Sequence, residues 1–152
     1  MTTRELSNDL EQVLSGDPWY GAPVSIIIEQ VDPEMVLIRK GDSNNIAQIL
    51  LHMIAWTEET NERLKGKFAS DPARGDWSDP AEYTWIELIG LFLLANERLQ
   101  DTIVKMEERL LKEPIHDKRV SALGTVVSHE ALIKGLIQHH IYHSAQIALL
   151  NK

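Results

Sequence analysis

Apolar residues recur three and four positions apart along most of the chain, the period of helices buried on one side. Leu6, Leu10, Val13 and Leu14 predict a short helix over residues 3–14, stopped by Gly16, Asp17 and Pro18. Pro23, Val24 and the run from Ile26 to Ile28 predict a second helical piece ending near Val31, and Asp32-Pro33 opens a short turn through Ile38. Asn45 and Gln48 have the spacing of a capping box ahead of a strongly apolar stretch, so a long helix runs over 45–65 and stops at Gly66. Leu88, Leu91, Leu94 or Ala95, Leu99, Ile103, Met106 and Leu110 keep helical spacing over 84–111, and Pro114 forbids continuation. A last helix begins within 125–128 and reaches 151. The fold read from this pattern is all-α, a four-helix bundle in a single domain over 1–152, with an interrupted first helical segment.

Two stretches depart from the pattern. Residues 66–83 collect Gly, Asp and Pro and break every period. A loop of that length in a compact domain calls for a reason, and one reason is topological: it can run the length of a bundle and leave its flanking helices parallel. The connection over 112–124 is polar and mixed. The last helix is apolar on two sides, one stripe holding Leu132, Leu136 and Leu150, the other Ile133, Ile137, Ile141 and Ala148. One side faces the bundle interior and the other a neighbouring helix or a second subunit.

The chemistry lies on the first of those stripes. His139 and His143 share it; at about 100° per residue their rings lie within about 40° of each other, one turn apart. His52 occupies the inward stripe of the 45–65 helix with Ile49 and Trp56. Three inward histidines either share a metal ion or hydrogen-bond separately within the core. His52 lies roughly 10 Å into its helix and the His139–His143 midpoint about 16 Å before the chain end, so antiparallel packing brings them near one level. Glu59, about 10 Å along the axis from His52, is too far for the same ion and reads as a solvated or salt-bridged residue. Trp19 and Tyr20 sit in a Gly/Pro-bounded corner and read as a plug at the end of the core, with a pocket wall as the other reading. His116 and His129 read as surface histidines.

Composition narrows the partners. With 23 acidic and 15 basic residues the net charge is −8, which opposes binding to nucleic acid or to an anionic membrane surface. No cysteine is present, which excludes disulfides, thiolate ligands and a cysteine nucleophile. The polar start MTTRELSNDLEQ and the short apolar runs predict a soluble, cytoplasmic protein.

Taken together, QHHIYHSAQIALL over 138–150 and NNIAQILLHMIAW over 44–56 resemble the closing and second helices of the DinB/YfiT-like four-helix bundles. The WYG near the start and Thr84-Trp85 before the third helix also fit, so the likeness spans nearly the whole chain. It implies an up-down-down-up topology, in agreement with the long connection before the third helix. It also implies a divalent metal on His52, His139 and His143, zinc or nickel foremost, with iron or manganese as further candidates. Activities in the wider family are thiol-dependent transferases and isomerases using bacillithiol, mycothiol or glutathione. Two departures stand out: His140 replaces the Asp of the closing motif, and Tyr20 replaces a His found in some relatives. His140 also offers an alternative ligand, three residues from His143, in place of His139.

The expectation is a metal-dependent enzyme of the thiol S-transferase, isomerase or hydrolase type, acting on a small molecule as a homodimer, with Trp56, Tyr142 and Trp19 as candidate cavity walls. The rival is a non-catalytic helical bundle that binds metal or a small ligand as a dimer. With no carboxylate at matching spacing, the remaining coordination positions fall to water or an exogenous ligand.

Overall fold

Three of the helices start on reciprocal caps. Thr2 with Glu5, Asn45 with Gln48 and Thr84 with Glu87 each satisfy two backbone N–H groups and fix where α1 (Thr3–Ser15), α3 (Ile46–Leu64) and α4 (Trp85–Lys105) begin. Pro23 leads into the short α2 (Val24–Glu29), and Ser128 caps α5 (His129–Leu150). The computed structural model describes residues 1–117 and 127–152. Among these the chain is all-helical, with 3-10 turns at Pro33–Met35 and Glu108–Lys112 and a lone bridge between Pro114 and Ser128. Gly66, at φ 101°, ends α3 where an L side chain would be strained. Part of the predicted 112–124 connection, and position 125 as a helix start, lie outside the described residues.

Helix α3 is the centre of the molecule. Every residue from Ile46 to Ala55 except Gln48 is buried, because α4 and α5 cover it on two sides. Leu99 and Ile103 from α4, Ile133 and Ile147 from α5, and Leu6 and Leu10 from α1 complete the core. The chain end is tied to the first segment: Asn151 accepts from Asp32 N–H and donates to the Gln30 carbonyl, while Lys40 donates to the carbonyls of Leu150 and Lys152. These bonds tie the end of α5 to the segment between α2 and α3.

Several expectations change. The helix predicted to Leu111 stops at Lys105, and Met106 turns extended. The following 3-10 turn buries Leu111 rather than Leu110, so the apolar stripe slips by one residue to meet α5. Within α4, Ala95 rather than Leu94 takes the inward place, and Phe92, outside the predicted stripe, is buried with it. Of the two readings of the second apolar strip of α5, a neighbouring helix holds for most of it: Ile133 and Ile137 are buried and Ile141 half-buried, with α1 and α2 packed against the helix, and Ala148 is exposed. Trp19 plugs nothing, being 100% exposed, and Tyr20 is exposed beside it. His129 is buried, its Nδ1 donating to the Glu113 carbonyl at 2.7 Å. His116 is exposed, as expected.

Of the two readings of Glu59, the salt-bridged one holds and the solvated one does not. Its carboxylate is buried and accepts from Arg63 Nε at 2.6 Å, Lys67 Nζ at 2.5 Å and the Ser70 backbone at 3.4 Å. The 66–83 loop is therefore clamped to the side of α3. Arg74 extends the clamp through Glu58 and the Tyr83 hydroxyl, and Ala69 N–H donates to the His116 carbonyl.

Candidate metal centre

The geometry that α3 and α5 impose brings His52, His139 and His143 together. One ring nitrogen from each lies within 4.8 Å of the other two. The Nε2 atoms of His52 and His139 are 3.0 Å apart, and the ring centroids of the three are 4.4–4.9 Å apart. His52 and His143 are buried and His139 is half-buried.

Hydrogen bonds fix which nitrogens are free. His52 Nδ1 lies 2.7 Å from the Asp76 carbonyl, an oxygen that only accepts, so Nδ1 carries the hydrogen and Nε2 keeps its lone pair. His143 Nδ1 donates in the same way to Gln146 Oε1 at 2.7 Å. Two of the three rings thus have the tautomer a metal ligand needs, each held by a partner on its far nitrogen. His139 Nδ1 is buried without a partner. Two nitrogens 3.0 Å apart subtend about a right angle at a common ion about 2.1 Å from each. The donor set therefore fits a divalent cation.

Electrostatics favour the same state. Burial, then the charges of His143 and His52, push His139 down to about 4 against the opposing pull of Asp76. His143 is lowered mainly by burial. Both rings are neutral at neutral pH, so no proton has to leave before they ligate.

His140 is not the alternative ligand. It is fully buried on the other side of α5, its Nε2 donating to Asn96 Oδ1 at 2.8 Å, with the Phe92 ring 5.2 Å away. Burial, then the neighbouring histidines, holds it near 3. Asn96 in turn donates to the Phe92 carbonyl, so this pair cross-links α5 to α4. The residue that replaces the family Asp is a core hydrogen-bonding group.

The long loop supplies the carboxylate that spacing along the helices could not reveal. Asp76 Oδ1 lies 3.1 Å from His52 Nδ1 and accepts from Trp56 Nε1 at 2.7 Å. Trp77 stacks flat on the His52 ring, 3.7 Å between centroids. Neither residue was singled out in the sequence; the one signal was a long loop without an evident purpose. Asn96 carried a clearer signal, as a polar residue on the buried face of α4. Of the aromatics expected to line a cavity, Trp56 anchors Asp76, Tyr142 lies against His143 with centroids 4.9 Å apart, and Trp19 stands in solvent.

Asp76→Ala is expected to weaken metal binding about tenfold, the low end for losing a partner behind a ligand, because the backbone carbonyl still holds His52 Nδ1. Competition with a chromophoric chelator measures it; unchanged affinity would show the carboxylate to be idle.

A family model described as the DinB superfamily matches residues 24–147. No curated protein and no solved structure gives a match. The matched region runs from the start of α2 into the last turn of α5 and contains all three histidines, and the chain belongs to the DinB superfamily.

Proposed function

We propose that the protein is a divalent-metal-dependent enzyme of the thiol-dependent transferase or isomerase type, or a hydrolase, acting on a small molecule at His52, His139 and His143. The observation that carries this reading is the three-histidine cluster beside an open groove. The groove encloses about 550 Å³ and is lined by His143, Gln146, Trp77 and Tyr142 among others, a size suited to a small ligand. A sealed cluster would favour the non-catalytic binding bundle; contact between groove and ligand histidine favours the enzyme.

Zinc or nickel is the proposed ion, with iron or manganese as the other candidates. Such an ion supplies Lewis acidity, lowering the pKa of a coordinated water or thiol and polarising a substrate oxygen. The chain's own residues position the site. Asp76 and Gln146 hold the hydrogen-bearing nitrogens of His52 and His143, and Trp77 covers one face of His52. Burial and the neighbouring His143 and His52 keep His139 neutral.

The topology belonging to this reading is up-down-down-up. Its support is that the end of α3 and the last turns of α4 share one groove, Leu64 and Lys65 with Asp101 and Lys105, as parallel helices do. We further propose a cytoplasmic homodimer. Its interface is the exposed apolar face of α4, with Ile86, Leu93 and Leu94, rather than the covered strip of α5. Sedimentation at micromolar concentration tests the dimer, and a monomer only would refute it.

The test of the function begins with protein purified without a histidine tag. About one divalent ion per chain is expected, followed by turnover in thiol-transfer or hydrolysis assays with bacillithiol, mycothiol and glutathione among the thiols. Absence of bound metal after growth and purification in metal-replete buffers overturns it. Bound metal without turnover in any of these assays returns the binding bundle.

A further inference from the structure

A second cavity lies between α3, α4 and the 66–83 loop. It encloses about 530 Å³, and none of the three clustered histidines lines it. Asn61 does line it, two and a half turns beyond His52 on α3, about 14 Å along the axis. The Asn61 side chain is 6% exposed, yet its Oδ1 has no hydrogen-bond partner among the described residues. A buried acceptor without a donor is rare, because it gives up hydration and receives nothing in return. Here the missing donor has room to come from a molecule in the cavity.

The charges around it lean against those of the chain as a whole. Lys65, Lys67, Arg74 and Arg98 line the cavity with Glu58, Glu59 and Glu62, in a protein of 23 acidic and 15 basic residues. Arg74 pairs with Glu58, and Lys67 shares Glu59 with Arg63. Lys65 and Arg98 make no ion pair among the described residues, nor does Glu62. With Arg63 and the neighbouring Glu97, Asp101 and Lys105 of α4 included, six basic side chains stand against five acidic ones. Ala55, Leu91 and Ala95 supply an apolar wall. We infer that this cavity binds a small aliphatic carboxylate that also carries a neutral hydrogen-bond donor, a 2-hydroxy acid in chemical class. The carboxylate answers Lys65 and Arg98, the hydroxyl donates to Asn61 Oδ1, and the aliphatic body meets the apolar wall. An ammonium in place of the hydroxyl would add positive charge where basic residues already lead. The site stands apart from the function proposed at the histidines and does not rest on it.

Three probes share one branched chain: 2-hydroxy-4-methylpentanoate, 4-methylpentanoate without the hydroxyl, and 4-methylpentan-1-ol without the carboxylate. Each is titrated into protein as purified and after EDTA treatment, with shifts of the Asn61 side-chain NH2 and the Ala95 backbone amide as the readout. In both preparations the hydroxy acid is expected to bind about tenfold more tightly than either analogue. Arg98→Gln should reduce its advantage over the alcohol, and Asn61→Ala its advantage over the plain acid, each to about threefold or less. Arg98 is exposed and unpaired, so Arg98→Gln should leave the fold intact, which the backbone amide spectrum checks. If Asn61→Ala fails to fold, the three-probe comparison and Arg98→Gln still decide. Equal affinity for the hydroxy acid and either analogue, an advantage over the alcohol unmoved by Arg98→Gln, shifts confined to His139 and His143, or no shift with any probe overturns the inference. The EDTA-treated arm needs no metal, so this result is separable from the fate of the metal-centre proposal.

Discussion

His143→Ala protein is expected to lose its divalent ion, with affinity at least about 100-fold below that of the unchanged protein, while His116→Ala retains it. The argument is one of ligand count. Loss of a partner hydrogen bond behind a ligand already costs about 10–100-fold, and removal of the ligand itself costs more. His143 points one nitrogen at the cluster and has the other held by Gln146, whereas His116 is exposed, with the Phe68 ring as its neighbour. His140→Ala is the informative third member. It too removes a buried histidine from the same turn of α5, but its loss strands Asn96 rather than a ligand position. It should therefore lower stability and keep the metal. Metal analysis beside thermal unfolding separates the two effects, and equal metal retention in His143→Ala and His116→Ala would refute the assignment.

Glu59→Ala is expected to destabilise the fold by about 3 kcal/mol, at the lower end for breaking a buried ion pair. The side chain is 1% exposed and serves Arg63, Lys67 and the Ser70 amide at once. Removing it leaves Arg63, itself largely buried, without its carboxylate; Lys67 is more open and recovers part of its hydration. For a chain of this size the melting temperature should fall by roughly 6–12 °C. Glu58→Ala makes the comparison sharp. Glu58 also meets an arginine of the loop, but both partners are partly exposed, so its loss should cost within about 1 kcal/mol. Equal melting temperatures for the two variants would show that burial of Glu59 has no energetic consequence. Because Glu59 clamps the loop that carries Asp76, its loss should also weaken metal binding, which the chelator competition would register.

Helix starts were legible because capping is local. Asn45 with Gln48 and Thr84 with Glu87 are three residues apart, and the bonds that define these ends are made within one turn. The end of α4 was not legible. Residues 106–111 contain no Gly or Pro, and the chain leaves the helix there because Leu111 has a place to pack against α5. The corner with Trp19 and Tyr20 misled for the complementary reason: aromatic character suggests burial, but burial depends on whether another element arrives to cover the side chain.

By itself the sequence determined the all-helical class, the helix starts and the three histidines of the candidate centre. Each follows from short-range pattern, periodicity for the helices and capping for their starts, and the i,i+4 pair His139–His143 places two rings one turn apart whatever surrounds them. Tertiary structure decided what those rings meet. His139 and His140 are adjacent in the chain, and only the packing of α5 against α3, α1 and α2 sends one to the cluster on α3 and the other to Asn96 of α4. Asp76 and Trp77 reach His52 across 24 and 25 positions because ion pairs at Glu59 and Glu58 tie the loop along α3. Periodicity reports which face of a helix is inward; it carries no information on which loop closes over that face, since a loop's path is set by contacts distant in sequence.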